Sequence, residues 1–235
     1  MKQFAIIGVD TFARSLLEEL ISVDCEILLV DKDREIIDFY KDEVTEAYVA
    51  DVINEETINR LVPTDIDGVI IDLGSNIEAA ILVTNYLKKM GIGNVHIKVN
   101  SDRHGEILEI IGADNIIYPD REAARRLTPM LLTTSLFNFV PIGNGLVMAE
   151  VSPPEKLIES QNNDIRRIYG INIIAYRQAE GEYNFYKREH LFTPEDILLV
   201  VGSEEDIVNF TESELIAVPH KFPTLLKKLF KDNLK

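Results

Sequence analysis

The first residues whose types and spacing could bind a ligand are Gly8, Asp10 and Ala13, which follow a short apolar run. In dinucleotide-binding folds, Gly-x-Gly-x-x-Gly stands at this place, between the first strand and the first helix. Gly8 can form the tight turn, and Ala13 is an accepted substitute for the third glycine. Asp10 replaces the glycine that lets backbone approach a pyrophosphate, and it adds a negative charge beside an anion. This loop, with Thr11 and Phe12, therefore predicts a nucleotide site with weakened phosphate binding, which Asp10→Gly should tighten.

Acidic residues follow the next two apolar runs of the chain. Asp31 comes about 20 positions after the loop, where dinucleotide folds place a carboxylate on the ribose hydroxyls, and Lys32 follows it. Asp51 and Val52 follow the third run, where the adenine end of a ligand would lie. An aspartate after a strand also commonly caps a turn, and Asp51 alone is equally typical of a helix start.

Small residues after the fourth run complete the predicted site. Gly74, Ser75 and Asn76 offer backbone N–H groups at the carboxyl edge of the sheet, where such folds bind ligands. Asp120 and Glu122 could bind a divalent cation beside a phosphate, although the charges alone favour a solvated helix N-terminus.

The elements that must position these residues are short Ile- and Val-rich runs that alternate with amphipathic segments of helical length. This pattern predicts a Rossmann-type α/β fold, a doubly wound parallel sheet covered by helices. The predicted strands are residues 3–8, 26–31, 47–50, 68–73, 94–99 and 115–118. The predicted helices between them are residues 11–22, 55–61, 77–90 and 104–111.

After Pro119 the pattern changes, which predicts a second, small α/β domain. A helical stretch over 121–139, broken by Pro129, leads to predicted strands at 146–152, 172–177, 183–186 and 197–202 and helices at 162–169 and 204–210. The predicted organisation is a nucleotide-binding domain (1–128), a crossover helix or linker (129–145), a regulatory domain (146–216) and a basic amphipathic tail (217–235).

Composition excludes several classes of function. A net charge of −16 argues against nucleic-acid binding, which depends on Lys and Arg that neutralise phosphates. The single cysteine, Cys25, cannot form an intramolecular disulfide. The four histidines have no partners at metal-ligand spacing, and no nucleophile elbow or P-loop occurs. Without an apolar run of membrane-spanning length or a signal-peptide pattern, the protein is expected to be soluble and cytoplasmic.

One ordered set of motifs resembles the RCK (regulator of potassium conductance) domain family. It comprises the fourth strand followed by Gly74-Ser75-Asn76, then Lys98-x-Asn100, Gly112-Ala113-Asp114 and Pro119. Residues 146–216 resemble the small C-terminal domain, TrkA-C, that follows the nucleotide-binding TrkA-N domain in this family.

The resemblance implies a gating subunit, not an enzyme, on the cytoplasmic face of a membrane potassium channel or transporter subunit. It implies self-association into dimers and an octameric ring, with ATP, ADP or NAD(H) in the first domain and, in some members, cyclic di-AMP between paired C-terminal domains. By the same resemblance Gly8 belongs to the phosphate loop, Lys98 is the basic residue of the fifth strand, and Asp120 matches a position that serves divalent cations in some relatives.

Several alternatives stay open at this point. The chain could be an NAD-dependent oxidoreductase, although its second domain offers no evident acid/base group, or a sensor subunit of a different cation transporter. Arg14 could replace the charge lost at the phosphate loop or pair with Asp10. The segment 121–139 is either a core helix or a contact with a partner subunit. The tail could touch the channel subunit or anionic lipid, or be a solvated helix.

Overall fold

A computed structural model describes residues 1–160 and 164–212, and they divide into two compact units, Met1–Glu122 and the residues from Ala123 onward. The predicted tail, 217–235, the end of the predicted regulatory domain and the start of the predicted helix at 162–169 lie outside the described residues. Within the described residues, no helix is both long and apolar enough to cross a lipid bilayer.

The first unit alternates strands and helices. In chain order they are β1 (Lys2–Ile7), α1 (Thr11–Ile21), β2 (Cys25–Asp31), α2 (Arg34–Tyr40), β3 (Glu46–Val49), α3 (Glu55–Leu61), β4 (Gly68–Ile71), α4 (Ile77–Lys89), β5 (Val95–Lys98), α5 (Asp102–Ile111) and β6 (Asn115–Ile117). The strands form one parallel sheet in the order β3-β2-β1-β4-β5-β6. The predicted doubly wound sheet is confirmed, and its order reverses between β1 and β4, where such folds bind ligands.

Two apolar cores, one on each face of the sheet, hold this unit together. Ala5 and Ile7 of β1 pack in the core that contains Val83 and Leu87 of α4, whereas Ile6 packs with Ala13 and Leu17 of α1. Because successive side chains of a strand point to opposite faces, a central strand must be apolar throughout to serve both cores. This explains why the strands are continuous Ile and Val runs.

Asp114, in the Gly-Ala-Asp motif, ties β6 to its neighbours. Its carboxylate accepts hydrogen bonds from the N–H of Val95 (2.8 Å) and from Nζ of Lys88 (2.9 Å). Partial burial raises the pKa of Asp114, but these two donors outweigh burial and hold the pKa below its ordinary value. The motif thus connects β6 with β5 and α4 through hydrogen bonds.

Helix α6 (Pro119–Leu132) leads to the elements of the second unit. These are β7 (Leu136–Gly143), β8 (Leu146–Val151), α7 (Glu155–Ser160), α8 (Ile165–Tyr169), β9 (Asn172–Gln178), β10 (Asn184–Phe185), β11 (Asp196–Ser203) and α9 (Glu204–Glu212). Its five strands form an antiparallel sheet in the order β10-β9-β11-β8-β7. Buried residues of β7, β8 and β11 pack against apolar residues from the unit's helices, which gives this unit its own core.

The helix predicted over 121–139 is wrong beyond Leu132, because residues 136–143 form strand β7. Leu136 and Phe139 are buried three residues apart, which is the spacing of a helix face. In the structure a register shift between Leu136 and Asn138, where β7 pairs with β8, breaks the alternation of the strand. A β-bulge of this kind produces helix-like spacing in a strand.

A largely buried contact between a histidine and an aspartate lies in the segment between β10 and β11. His190 Nε2 lies 2.8 Å from Oδ2 of Asp196, whose side chain is fully buried, and its ring stacks on Tyr176. The same oxygen accepts the N–H of Thr193 at 2.9 Å. Oδ1 of Asp196 has no hydrogen-bond partner among the described residues, so His190 and the Thr193 N–H together compensate this carboxylate.

Candidate nucleotide-binding site

A cavity of about 460 Å³ opens at the carboxyl edge of the parallel sheet. Its walls come from the residues that end, or directly follow, β1, β2, β3 and β4, namely 8–10, 30–33, 50–53 and 72–76, together with Ile36 and Ala79. The carboxyl ends of parallel strands meet at one edge, so four loops that are far apart in sequence line one space. The cavity lies at the switch point between β1 and β4.

One wall of the cavity is apolar. Val30, Ile36, Ala50, Val52 and Ile53 contribute aliphatic surface, and Val52 is buried in the same core as β1 and β4. The N–H of Ile53 donates to Oδ1 of Asp51 at 3.1 Å, which fixes this turn after β3. A flat apolar ring such as adenine fits a wall of this chemistry.

Asp31 is fixed by the two loops on either side of it. Its Oδ2 accepts the N–H of Val9 at 2.7 Å, and its Oδ1 accepts the N–H of Asp33 at 2.8 Å. Each carboxylate oxygen retains a second lone-pair position. Asp31 therefore lines the cavity in a fixed orientation and can still accept hydrogen bonds from hydroxyl groups.

Asp72 is a fully buried carboxylate at the end of β4, with 1% of its surface exposed. Its Oδ2 accepts the N–H of Ala13 at 3.0 Å, and its Oδ1 accepts the N–H of Gly74 at 3.3 Å. Ala13 is the third residue of α1, so Asp72 satisfies one of the N–H groups that a helix leaves free at its start. The side chain that directly follows β4 thus caps α1.

Lys98, the last residue of β5, stands between two carboxylates. Its Nζ lies 3.5 Å from Oδ1 of Asp72 and 3.7 Å from Oδ2 of Asp10, and only 10% of its side chain is exposed. The side chain of Asp10 is 47% exposed. The sequence left open whether Asp10 pairs with Arg14, and in the structure its ion partner is Lys98.

Of the two glycines nearest the carboxylates, Gly8 leaves no room for a side chain and Gly74 leaves little. Gly8 has φ +81°, and a Cβ there would lie 2.3 Å from the carbonyl oxygen of Asp72. Gly74 has φ +62°, and a Cβ there would lie 3.0 Å from Oδ2 of Asp10. The loops after β1 and β4 are therefore packed against each other by backbone and carboxylate.

The structure brings most of the residues predicted to bind a cofactor to one cavity. Those that line it are Gly8, Asp10, Asp31, Lys32, Asp51, Val52, Gly74, Ser75 and Asn76. Thr11, Phe12 and Lys98 do not line it. Thr11 is the first residue of α1, Phe12 packs against the core on that face, and Lys98 reaches the site through Asp10. That these residues bind a ligand stays a prediction.

Asp120 is exposed in the first turn of α6 and does not line the cavity. Across the part of the chain that the structure describes, no group of three or more His, Cys, Asp or Glu side chains is placed to hold a metal ion. A divalent cation at Asp120 would therefore need ligands from elsewhere, such as the phosphates of a nucleotide.

Asp72, Asp33 and Ile36 are among the lining residues that sequence reasoning missed. A usable signal existed for Asp72, because it directly follows a strand, Gly68–Ile71, whose residues are all buried. A charged side chain in such a place needs a partner nearby. Ile36 belongs to α2, a short helix that the sequence pattern did not predict.

Comparison with known proteins gives the family. Residues 4–119 match the TrkA-N domain. The chain is 30% identical to the Ktr system potassium uptake protein C of Bacillus subtilis (strain 168) over 216 residues, 91% of this chain and 98% of that protein. It is 29% identical to the Ktr system potassium uptake protein A of Vibrio alginolyticus, over 90% of this chain and 97% of that protein.

Solved structures show the same fold. The GsuK RCK domain superposes with a TM-score of 0.64 at 19% identity, over 93% of this chain and 48% of that chain. The GsuK channel bound to NAD superposes with a TM-score of 0.63 at 17% identity, over 94% of this chain and 40% of that chain. This chain thus spans less than half the length of these structures, and the match to a TrkA-C domain stays a prediction. The RCK resemblance is confirmed, and the chain belongs to the family of TrkA-N-containing Ktr system potassium uptake proteins.

Proposed function

We propose that this chain is a regulatory subunit of a potassium-uptake system that binds an adenine nucleotide and controls a membrane potassium channel or transporter. The observation that carries the proposal is the cavity at the switch point, with an aliphatic wall and the fixed carboxylate of Asp31. Family membership supports the potassium-uptake part, because the relatives are Ktr system potassium uptake proteins.

The lining residues favour one orientation of the ligand. Asp31 lies between the loop after β1 and the aliphatic surface of Val52 and Ile53. It has free lone pairs for the ribose hydroxyls. Adenine against that surface would bring its edge to Asp51. The phosphates would then point toward Gly8 and the N-terminus of α1, as in other dinucleotide-binding folds.

Regulation requires that the ligand bind two shapes of the subunit, or of its assembly, with different affinity. We propose that the subunit acts as a dimer within a larger ring, not by chemistry of its own but by changing shape on the cytoplasmic side of its membrane partner. Exposed leucines of α6 support a contact with a second subunit, since Leu127 is 51% and Leu131 is 74% exposed.

Isothermal titration calorimetry against ATP, ADP, AMP, NAD⁺, NADH and cyclic di-AMP, each with and without Mg²⁺, tests the ligand. We expect at least one adenine compound to bind the first unit, and Asp31→Asn to weaken it by about tenfold, because a charged acceptor of ribose hydroxyls is lost. Asp65→Asn is the matched control, since Asp65 is exposed outside the cavity. Equal affinity in the Asp31→Asn variant would refute the site. Binding of cyclic di-AMP that Asp31→Asn does not affect would indicate a separate site.

Potassium uptake in cells that lack their own uptake systems tests the function. The chain is co-expressed with a Ktr-type membrane subunit, and the Asp31→Asn variant serves as the comparison. Higher or ligand-dependent uptake with the native chain is expected. Uptake that is the same with and without the chain would refute the proposal, and a response of another cation alone would favour the sensor of a different transporter. Oxidation or reduction of a substrate with NAD(H) as the cosubstrate would favour the alternative that the chain is an oxidoreductase.

A further inference from the structure

The N-terminus of α1 already has anions beside it. In a nucleotide-binding fold, the free N–H groups at this place would face a phosphate. Here the carboxylate of Asp72 accepts the N–H of Ala13 at 3.0 Å. Asp10, directly before the helix, makes no side-chain hydrogen bond to the helix N–H groups and instead points its Oδ2 toward Lys98.

Lys98, the basic residue of this region, is already paired with carboxylates. Lys98 is nine-tenths buried and lies within 4 Å of both carboxylates, at 3.5 Å from Asp72 and 3.7 Å from Asp10. Two carboxylates and one ammonium leave a net charge of −1 on the cluster. A phosphate arriving at α1 would therefore meet negative charge, and it would have to displace Asp10 to reach Lys98.

Asp10 is the member of the cluster that a ligand would meet. It lines the cavity with its side chain 47% exposed, whereas Asp72 is buried. Its Oδ2 stands so close to Gly74 that a Cβ there would lie 3.0 Å away. The Asp10 carboxylate thus spans the gap between the loops after β1 and β4, where a pyrophosphate would pass.

We infer that Asp10 and Asp72 take the place of a ligand phosphate at the N-terminus of α1, so that the cavity selects adenosine and AMP over ADP, ATP and NAD(H). This inference rests on the proposed function, because it names the ligand class of the same site. Asp10 is the residue that determines this specificity. Asp72 caps the helix, and Lys98 holds the two carboxylates together.

The test is calorimetric titration of the native protein, Asp10→Asn and Asp10→Ser with adenosine, AMP, ADP and ATP. Asparagine and serine are good residues at a helix start, so both variants should fold. The repulsion energy of two like unit charges about 6 Å apart, at an effective dielectric constant of about 40, equals about the free energy of a tenfold change in affinity. Both variants should therefore bind ATP about tenfold more tightly than the native protein and adenosine within about twofold.

Asp33→Asn is the matched control. Asp33 lines the same cavity, and an asparagine there can still cap α2. If Asp33→Asn improves ATP binding as much as Asp10→Asn, the effect is general electrostatics and the inference is overturned.

The remaining outcomes separate the inference from the proposed function. If the native protein binds ATP as tightly as adenosine and Asp10→Asn changes neither, the inference fails while the proposed function stands. If Asp10→Asn binds ATP and the native protein binds no adenine compound, Asp10 obstructs phosphate but the native cavity selects no adenine compound, so the inference and adenine sensing by the native chain both fail. If no compound binds the native protein or the variants, both fail.

Discussion

Replacement of Asp72 by alanine tests whether a carboxylate of β4 holds the start of α1. The change removes the acceptor of the Ala13 N–H at 3.0 Å and of the longer Gly74 N–H at 3.3 Å. Hydrogen bonds to a charged acceptor contribute about 1.5 to 3 kcal/mol each, and the longer one lies at the low end. Lys98 also loses one of its two carboxylates but keeps Asp10.

The expected net cost of Asp72→Ala is about 3 kcal/mol of unfolding free energy, since relief of the buried charge offsets part of the loss. Asp72→Asn should cost about half as much, because its amide oxygen can still accept the Ala13 N–H. Asp120→Ala, an exposed carboxylate of the same unit, should change stability by less than about 0.5 kcal/mol.

Two measurements together check this prediction. Denaturation is followed by circular dichroism, because the chain contains no tryptophan to report on folding. Since the chain divides into two compact units, hydrogen exchange must locate the loss, and the amide of Ala13 should exchange much faster in Asp72→Ala. A cost below about 1 kcal/mol with unchanged exchange at Ala13 would show that Asp72 does not cap α1.

Three further changes give distinct results. Gly8→Ala should destabilise by at least about 3 kcal/mol in a melting experiment, whereas Gly91→Ala, at nearly the same φ of +79° but with nothing within 4 Å, should cost only about 1 to 2 kcal/mol. His190→Ala should cost roughly 2 to 4 kcal/mol by leaving the buried Asp196 with only the Thr193 N–H as a donor among the described residues, and a double variant with Asp196→Asn should recover part of that loss in the same assay. The pKa of Asp114 is lowered in the folded state, so its contribution to stability is present above its unfolded pKa of about 4 and is lost as pH falls through the folded pKa. In an acid titration, the unfolding free energy of Asp114→Asn should therefore decline less steeply than that of the native protein.

The parallel sheet and much of its cavity could be predicted from sequence because they depend on local patterns. Central strands must be apolar on both faces, and ligand residues of such a sheet follow the strands directly. Asp31 and Gly74 were found in this way, since each stands at or just past the end of an apolar run. The position in the sequence was enough to place them at one edge.

Other features depend on partners distant in sequence. Asp72 caps α1 by accepting the N–H of Ala13, which lies 59 residues earlier in the chain. No local sequence pattern indicates that pairing. Strand β7 was missed for a different reason, since the register shift near Leu136 gives it the spacing of a helix face. Helix α2 has seven residues, about two turns, which is too short for a clear 3.6-residue period, and α3, of the same length, was predicted from its N-cap residue, Asn54.

The stability and specificity experiments address the same cluster from two sides. Asp72 is buried and bound by two N–H groups, so its loss should weaken the fold whatever ligand is present. Asp10 is half-exposed and held by one ion pair beyond hydrogen-bond distance and by a long, exposed hydrogen bond from the Thr11 hydroxyl (3.4 Å), so its neutralisation should change ligand preference at little cost in stability. A cluster that serves only the fold would lose stability in both variants and gain no affinity for ATP. Separation of the two effects is therefore the evidence that Asp10 faces the ligand and Asp72 faces the helix.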